Sequence, residues 1–130
     1  MIVSLRGKII NISPADLVVD VNGVGYLCYI TSKTYSFYKD IKNEVSVLIY
    51  YHVSENSNML FGFAEDSERK VFKLLISVSG IGPKTAINLL SAVTPNEFKR
   101  RLIASEVSML SDLPGIGPKT ARRIIVELKD

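Results

Sequence analysis

The heptapeptide Gly-Ile-Gly-Pro-Lys-Thr-Ala occurs twice, at Gly80–Ala86 and at Gly115–Ala121, 35 positions apart in a chain of 130 residues. Whatever the fold, it has to contain one local structure twice. The likeness extends beyond the heptapeptide: Leu75 aligns with Leu110, Val78 with Leu113, and Leu89-Leu90 with Ile124-Ile125. Each copy reads as helix, tight turn, helix, with apolar residues pinning the two helices together. Gly80 and Gly115 can take positive φ where the first helix ends. Ile81 and Ile116 are expected to tuck inward as the plug of the turn. Gly82 and Gly117, without side chains, leave the backbone open to close approach, and Pro83 and Pro118 suit the first turn of the outgoing helix.

Such a turn presents free backbone N–H groups at a helix N-terminus, with the positive end of the helix dipole behind them. Phosphate is the natural occupant. Lys84 and Lys119 add a formal charge, Thr85 and Thr120 a hydroxyl, and Arg122 and Arg123 follow on the second outgoing helix. The candidate phosphate-backbone-binding set is Gly80, Ile81, Gly82, Lys84, Thr85, Gly115, Ile116, Gly117, Lys119, Thr120, Arg122 and Arg123. Nothing in it reads a base edge, so it positions a backbone without specifying sequence. Two hairpins that merely pack together would account for the glycines. They would leave the recurring Lys-Thr pair, expected to face solvent, with no packing reason. A P-loop needs glycine immediately before Lys-Thr, where Pro83 and Pro118 stand. A dinucleotide fingerprint needs Gly or Ala at its sixth position, where Thr85 and Thr120 stand.

Upstream of the repeat the period changes. Val3, Leu5 and Ile9 alternate with Ser4, Arg6 and Lys8; Leu17, Val19 and Val21 alternate with Asp16 and Asp20; Val45, Val47, Ile49 and Tyr51 repeat the pattern. Turn signals at "NISPAD", "NGVG", "DIKNE" and "SENSN" separate these runs, and "MLFGF" closes the last. Five short strands, with one helical turn at "SKTYSFYK", suit a small antiparallel barrel of the OB type over residues 1–64. Residues 65–130 are expected to be all helical. Asp66 or Ser67 can cap the first helix; Thr94-Pro95-Asn96-Glu97 is a capping box opening a helix to about Ala104; Ser105 can cap the next.

Net charge is +3, and its excess sits in one half. Residues 1–63 balance five Lys/Arg against five Asp/Glu, whereas the remainder carries eleven against eight. This asymmetry points to an anionic partner for the repeat half. No stretch approaches the roughly 20 apolar residues of a membrane span, and the N-terminus lacks a signal-peptide layout, so a cytoplasmic protein is expected. The lone cysteine, Cys28, lies in the apolar run "YLCYI" and reads as a buried structural thiol. There are no paired acids, no metal-ligand spacing and no nucleophile arrangement, so neither enzyme, cofactor nor metal is expected.

The repeated "GIGPKTA" units look like a tandem helix-hairpin-helix domain. Together with "MIVSLRGKI", "VNGVGY" and "LFGF", the chain resembles, over its whole length, the N-terminal two domains of the RuvA family, the Holliday-junction-binding subunits of RuvAB branch-migration complexes. The resemblance implies an OB-fold followed by a tandem helix-hairpin-helix domain, and a homotetramer or octamer holding a four-way DNA junction open. It implies a role in recombination, repair and the SOS response to DNA damage in the bacterial cytoplasm, associated with the nucleoid. It also implies a third domain, absent from this chain, that docks on the hexameric ATPase RuvB. Family members carry an acidic pin between the last two barrel strands; here Glu55 fits the first acidic position and Asn56 occupies the second. Carboxylates there would repel phosphates. The alternatives are that "SENSN" is a polar turn only, and that the chain is a general duplex- or single-strand-binding module of a repair enzyme. A protein-interaction helical domain would leave the repeated Lys-Thr unexplained. His52 flanks the loop without a partner constellation for catalysis.

Overall fold

The computed structural model describes residues 1–129; Asp130, the last position of the expected second domain, lies outside them. The period-two runs become five strands: β1 (Ser4–Ile12), β2 (Asp16–Val21), β3 (Val24–Tyr29), β4 (Val45–Ser54) and β5 (Ser57–Phe63). They close into a barrel in the order β1-β2-β3-β5-β4. The alternation does what period two requires: Leu17, Val19, Val47 and Ile49 turn inward, joined by Cys28, Phe61 and Phe63, all buried. Burial pushes the Cys28 thiol up to about 12, leaving an unreactive apolar filler.

The expected antiparallel pattern holds for four of the five seams and fails at the last. β3 and β5 pair in parallel, Cys28 opposite Leu60 and Tyr29 opposite Phe61. An odd number of strands cannot close with every neighbour antiparallel, so a five-stranded barrel must contain such a seam. β1 serves two partners, pairing Ser4–Gly7 with β4 and Lys8–Ile12 with β2. A bulge between Ile9 and Asn11 leaves Ile10 exposed. Where β1 passes over β2, a Cβ on Gly7 would fall on the Asp20 carbonyl oxygen, so only glycine permits this approach.

Helix α1 (Ser32–Tyr38) links β3 to β4 and starts at Thr31, whose hydroxyl accepts from the Thr34 amide at 3.2 Å. The same hydroxyl donates to Glu68 Oε1 at 2.7 Å; the Thr34 hydroxyl donates to that oxygen at 3.3 Å and accepts from the Ala64 amide. Glu68 is only 4% exposed, and its Oε2 has no hydrogen-bond partner among the described residues. Arg69 donates to the carbonyls of Val3 and Ile49 and pairs with Asp66. These bonds explain why the first compact unit runs from Met1 to Arg69, past the expected change at Ala64–Glu65; the second begins at Lys70.

The remaining elements are α2 (Asp66–Ile76), α3 (Pro83–Ala92), α4 (Pro95–Ala104), α5 (Val107–Ser111) and α6 (Pro118–Leu128). Asp66 is the first helical residue of α2 and not its cap. Thr94 caps α4 with one half of the expected capping box, accepting from the Glu97 amide at 3.0 Å. The Glu97 carboxylate takes hydrogen bonds from Arg100 and Arg101, which hold its pKa down at about 2. Ser105 does not cap α5. It ends α4 in the left-handed region, φ 58°, and Glu106 stands at the N-cap of α5. No helix among the described residues is long and apolar enough to cross a membrane.

Burial raises the Glu68 carboxyl above its usual range, against the opposing pull of the Thr31 hydrogen bond and the Lys33 charge. A raised folded value means that the contribution is fully present below the ordinary carboxylate pKa of about 4.3 and is lost as pH rises through the folded one. Glu68→Gln should therefore gain melting temperature relative to the parent over the pH range that begins at the ordinary carboxylate pKa and extends upward. Glu68→Ala leaves two buried hydroxyls without their acceptor and should cost about 1–3 kcal/mol. Thermal melts of the three proteins across that range check both; a parent-to-Gln difference independent of pH would contradict the burial cost.

Candidate nucleic-acid interface

The two copies of the repeat adopt the same backbone. In the first, α2 ends, Val78 N–H donates to the Leu75 carbonyl at 3.1 Å, and Ile81 N–H to the Val78 carbonyl at 3.1 Å. In the second, Leu113 N–H donates to Leu110 at 3.0 Å and Ile116 N–H to Leu113 at 3.1 Å. Between these bonds the chain reverses through Gly80 at φ 91° and Gly115 at φ 75°, the left-handed region that glycine enters without a Cβ penalty. Ile81 and Ile116 are buried as the turn plugs, along with Leu75, Val78, Leu110 and Leu113. Their side chains cannot reach a ligand; their place in the site is to hold the turn.

Each outgoing helix then starts on a glycine. Gly82 is the N-cap of α3 and Gly117 of α6, both with extended backbone, proline following, and no side-chain capping bond. The helices α1 and α4 are treated otherwise: Thr31 and Thr94 fill their N-caps and satisfy an amide each. The chain can thus build a threonine cap, and at α3 and α6 it leaves the first-turn amides without one. A Cβ placed on Gly82 or Gly117 would meet nothing within 4 Å, so the approach to those amides is open. Lys84 and Lys119 are exposed beside them. Two open, positively polarised helix starts with a lysine each suit two phosphates of a nucleic-acid backbone.

The other candidates divide. Arg122 is exposed, available to an anion on the same helix. Thr120 is half-buried. Thr85, expected to face solvent, is half-buried too: its Cγ2 would lie 3.0 Å from a Cβ on Gly115, so it packs against the opposite turn. Arg123 is also half-buried, and its Nη1 donates to the Ser79 carbonyl of the first turn at 3.4 Å. Sequence reasoning missed Ser79, since a backbone acceptor leaves no mark in residue type. At the barrel, β4 and β5 are joined by a two-residue loop: Ser54 pairs with Ser57, their hydroxyls 3.1 Å apart, and Glu55 and Asn56 form the exposed tip. The His52 ring stacks with that of Tyr50, centroids 6.5 Å apart. Among the described residues no group of three His, Cys, Asp or Glu side chains could hold a metal ion.

The two positive-φ glycines differ in what surrounds them. At Gly80 a new methyl would meet the movable end of Arg123 at 3.3 Å; at Gly115 it would meet the Thr85 methyl, fixed on a helix, at 3.0 Å. Gly80→Ala should cost the left-handed penalty alone, about 1–2 kcal/mol. Gly115→Ala should cost about 1–3 kcal/mol more, from overpacking. Denaturant melts of the two variants check the order.

Two families match the chain in register with this architecture. The RuvA N terminal domain covers residues 1–62, and the SAM-like helix-hairpin-helix tandem covers residues 72–130. Among curated relatives, the Holliday junction branch migration complex subunit RuvA of Geobacter metallireducens is 45% identical over 130 residues, spanning 100% of this chain and 65% of the relative. That of Chlorobium phaeobacteroides is 42% identical, over 100% of this chain and 65% of its own. That of Christiangramia forsetii is 43% identical over 100% of this chain and 67% of the relative. The chain thus spans about two thirds of the length of these relatives. With a closed five-strand barrel, a doubled glycine turn and this identity sustained from end to end, the chain belongs to the RuvA family.

Proposed function

We propose that this chain is a DNA-binding subunit that recognises four-way junctions by shape rather than by sequence, and serves recombination and repair as part of a branch-migration complex. The observation that carries the reading is the pair of helix starts at Gly82 and Gly117, alike in cap conformation, open, uncapped by side chains and flanked by Lys84 and Lys119. Such contacts grip a backbone and carry no base information. The chemistry is scaffolding: the subunit has no active site of its own and needs no cofactor. The energy for branch migration would come from a RuvB-type ATPase, engaged through a part of the protein outside this chain. The setting is the bacterial cytoplasm, at the nucleoid.

Closed symmetry completes the arrangement. Four copies of this chain, as a homotetramer or as half of an octamer, would bring four β4–β5 loops to one centre, each with Glu55 at its tip. Like charge would then hold the junction strands apart. Asn56 halves the carboxylate count usual for the family, so each loop repels phosphate through Glu55 alone.

Lys84→Ala with Lys119→Ala should weaken binding to all DNA sequences about equally and reduce the salt slope by about 1 for each lysine engaged. Fluorescence anisotropy over a salt series on several unrelated duplexes measures this; a sequence-dependent loss, or none at low salt, would count against the hairpins. At the loop, Glu55→Gln should tighten binding to linear duplex and lower the preference for a junction, whereas Asn56→Asp should raise that preference. Both shifts should fade as salt screens them. Gel-shift titrations on a junction and a duplex of matched arm sequence decide the matter, and an unchanged ratio in both variants at low salt would reduce the loop to a turn.

A further inference from the structure

The two hairpins touch through their turns, and the touch is crossed. Thr85 lies on α3, the outgoing helix of the first hairpin, yet its methyl packs against Gly115 in the second turn; Cγ2 would be 3.0 Å and Oγ1 3.7 Å from a Cβ there. Arg123 lies on α6, the outgoing helix of the second hairpin, yet its guanidinium lies over Gly80 and donates to the Ser79 carbonyl in the first turn. The heptapeptide repeat makes Thr85 and Thr120 equivalent in sequence, but Thr85 has been taken into a contact that its own hairpin does not contain.

We propose that Thr85 and Arg123 are positioning residues, each helix holding the other hairpin's turn, so that the two turns meet one DNA backbone as a single unit. This rests on the DNA-binding reading above and deepens it. The Thr85 hydroxyl is not a phosphate ligand; the methyl is the working group. Arg123 serves the first hairpin although it is four residues from Lys119 on the same helix. The glycines make this possible. At positive φ neither turn can carry a Cβ cheaply, and without one a methyl and a guanidinium can lie directly against the backbone.

Methyl and hydroxyl can be separated at Thr85. Thr85→Val keeps the methyl facing Gly115 and removes the hydroxyl; Thr85→Ser does the reverse. The proposal expects binding of a fluorescein-labelled duplex by Thr85→Val to stay within about twofold of the parent, and Thr85→Ser to bind several-fold more weakly with its salt slope unchanged. The opposite order would make Thr85 a phosphate ligand and overturn its positioning role. Double-mutant cycles test the crossing. Thr85→Ser should couple to Lys119→Ala and not to the adjacent Lys84→Ala, while Arg123→Gln should couple to Lys84→Ala and not to Lys119→Ala. Coupling within each hairpin, or none, overturns the crossed assignment.

A readout without DNA keeps the two levels distinct. In the free protein, Arg123→Gln should shift the amide resonances of Ser79, Gly80 and Ile81, and Thr85→Ser those of Gly115 and Ile116. Should Arg123→Gln fail to fold, Arg123→Lys keeps the charge, loses the planar fork and should move the same amides. Unmoved amides overturn the clamp even if the parent binds DNA. A parent that binds neither junction nor duplex, with the expected amide shifts, overturns the DNA-binding reading and leaves the crossed contact standing.

Discussion

A glycine held at positive φ, followed at once by an isoleucine that must be buried, sets the direction of the chain in each hairpin. At Gly80 and Gly115 the backbone enters a region that costs an ordinary residue about 1–2 kcal/mol, and the plugs at Ile81 and Ile116 keep it there. Burying an isoleucine is worth about 1.5–3 kcal/mol, enough to offset the reversal. The next helix then begins on Gly82 or Gly117, where the absence of a side chain leaves the amides accessible. Plug, reversal and open helix start are one device, and the proposed phosphate contacts of the second unit depend on it.

Leaving those amides open has a small thermodynamic cost. Glycine at an N-cap is only a few tenths of a kcal/mol worse than a good capping side chain, because water can still reach the amides. Thr31 and Thr94 show where the chain closes a helix start instead, and both do so within a hydrogen-bonded framework. The proposed phosphate sites and the capped helix starts thus use different residues at equivalent helical positions. The same division appears within the repeat itself: Lys84 and Lys119 project outward, while Ile81, Ile116, Ala86 and Ala121 are buried beneath them.

The barrel presents a charged tip between its last two strands. A two-residue loop, Glu55-Asn56, joins these strands, and the pairing is continuous from Leu48 opposite Phe63 to Ser54 opposite Ser57. Packing below is dense with branched and aromatic side chains, and one carboxylate is buried at its margin. Glu68 is tolerated there because it accepts from two threonine hydroxyls, although its other oxygen has no partner among the described residues. Nothing in the spacing of Thr31, Thr34 and Glu68 announces that contact.

What was legible in the sequence is local. The change from period two to the helical period of about 3.6, the glycine turns, the buried plugs, the threonine cap at Thr94 and the surface loop at Glu55 all depend on residues a few positions apart. Their physics is backbone geometry and the burial of one face. The assignments that failed or were missed depend on distant neighbours. Ser105 looked like a cap, but the way α4 ends puts it in the left-handed region; the parallel seam between β3 and β5 follows from closing an odd number of strands. Thr85 and Thr120 are identical in their local sequence. Only the fold decides that one of them packs against a glycine 30 residues further along the chain, because a contact across that separation is chosen by the packing of whole helices and not by any preference of the residue.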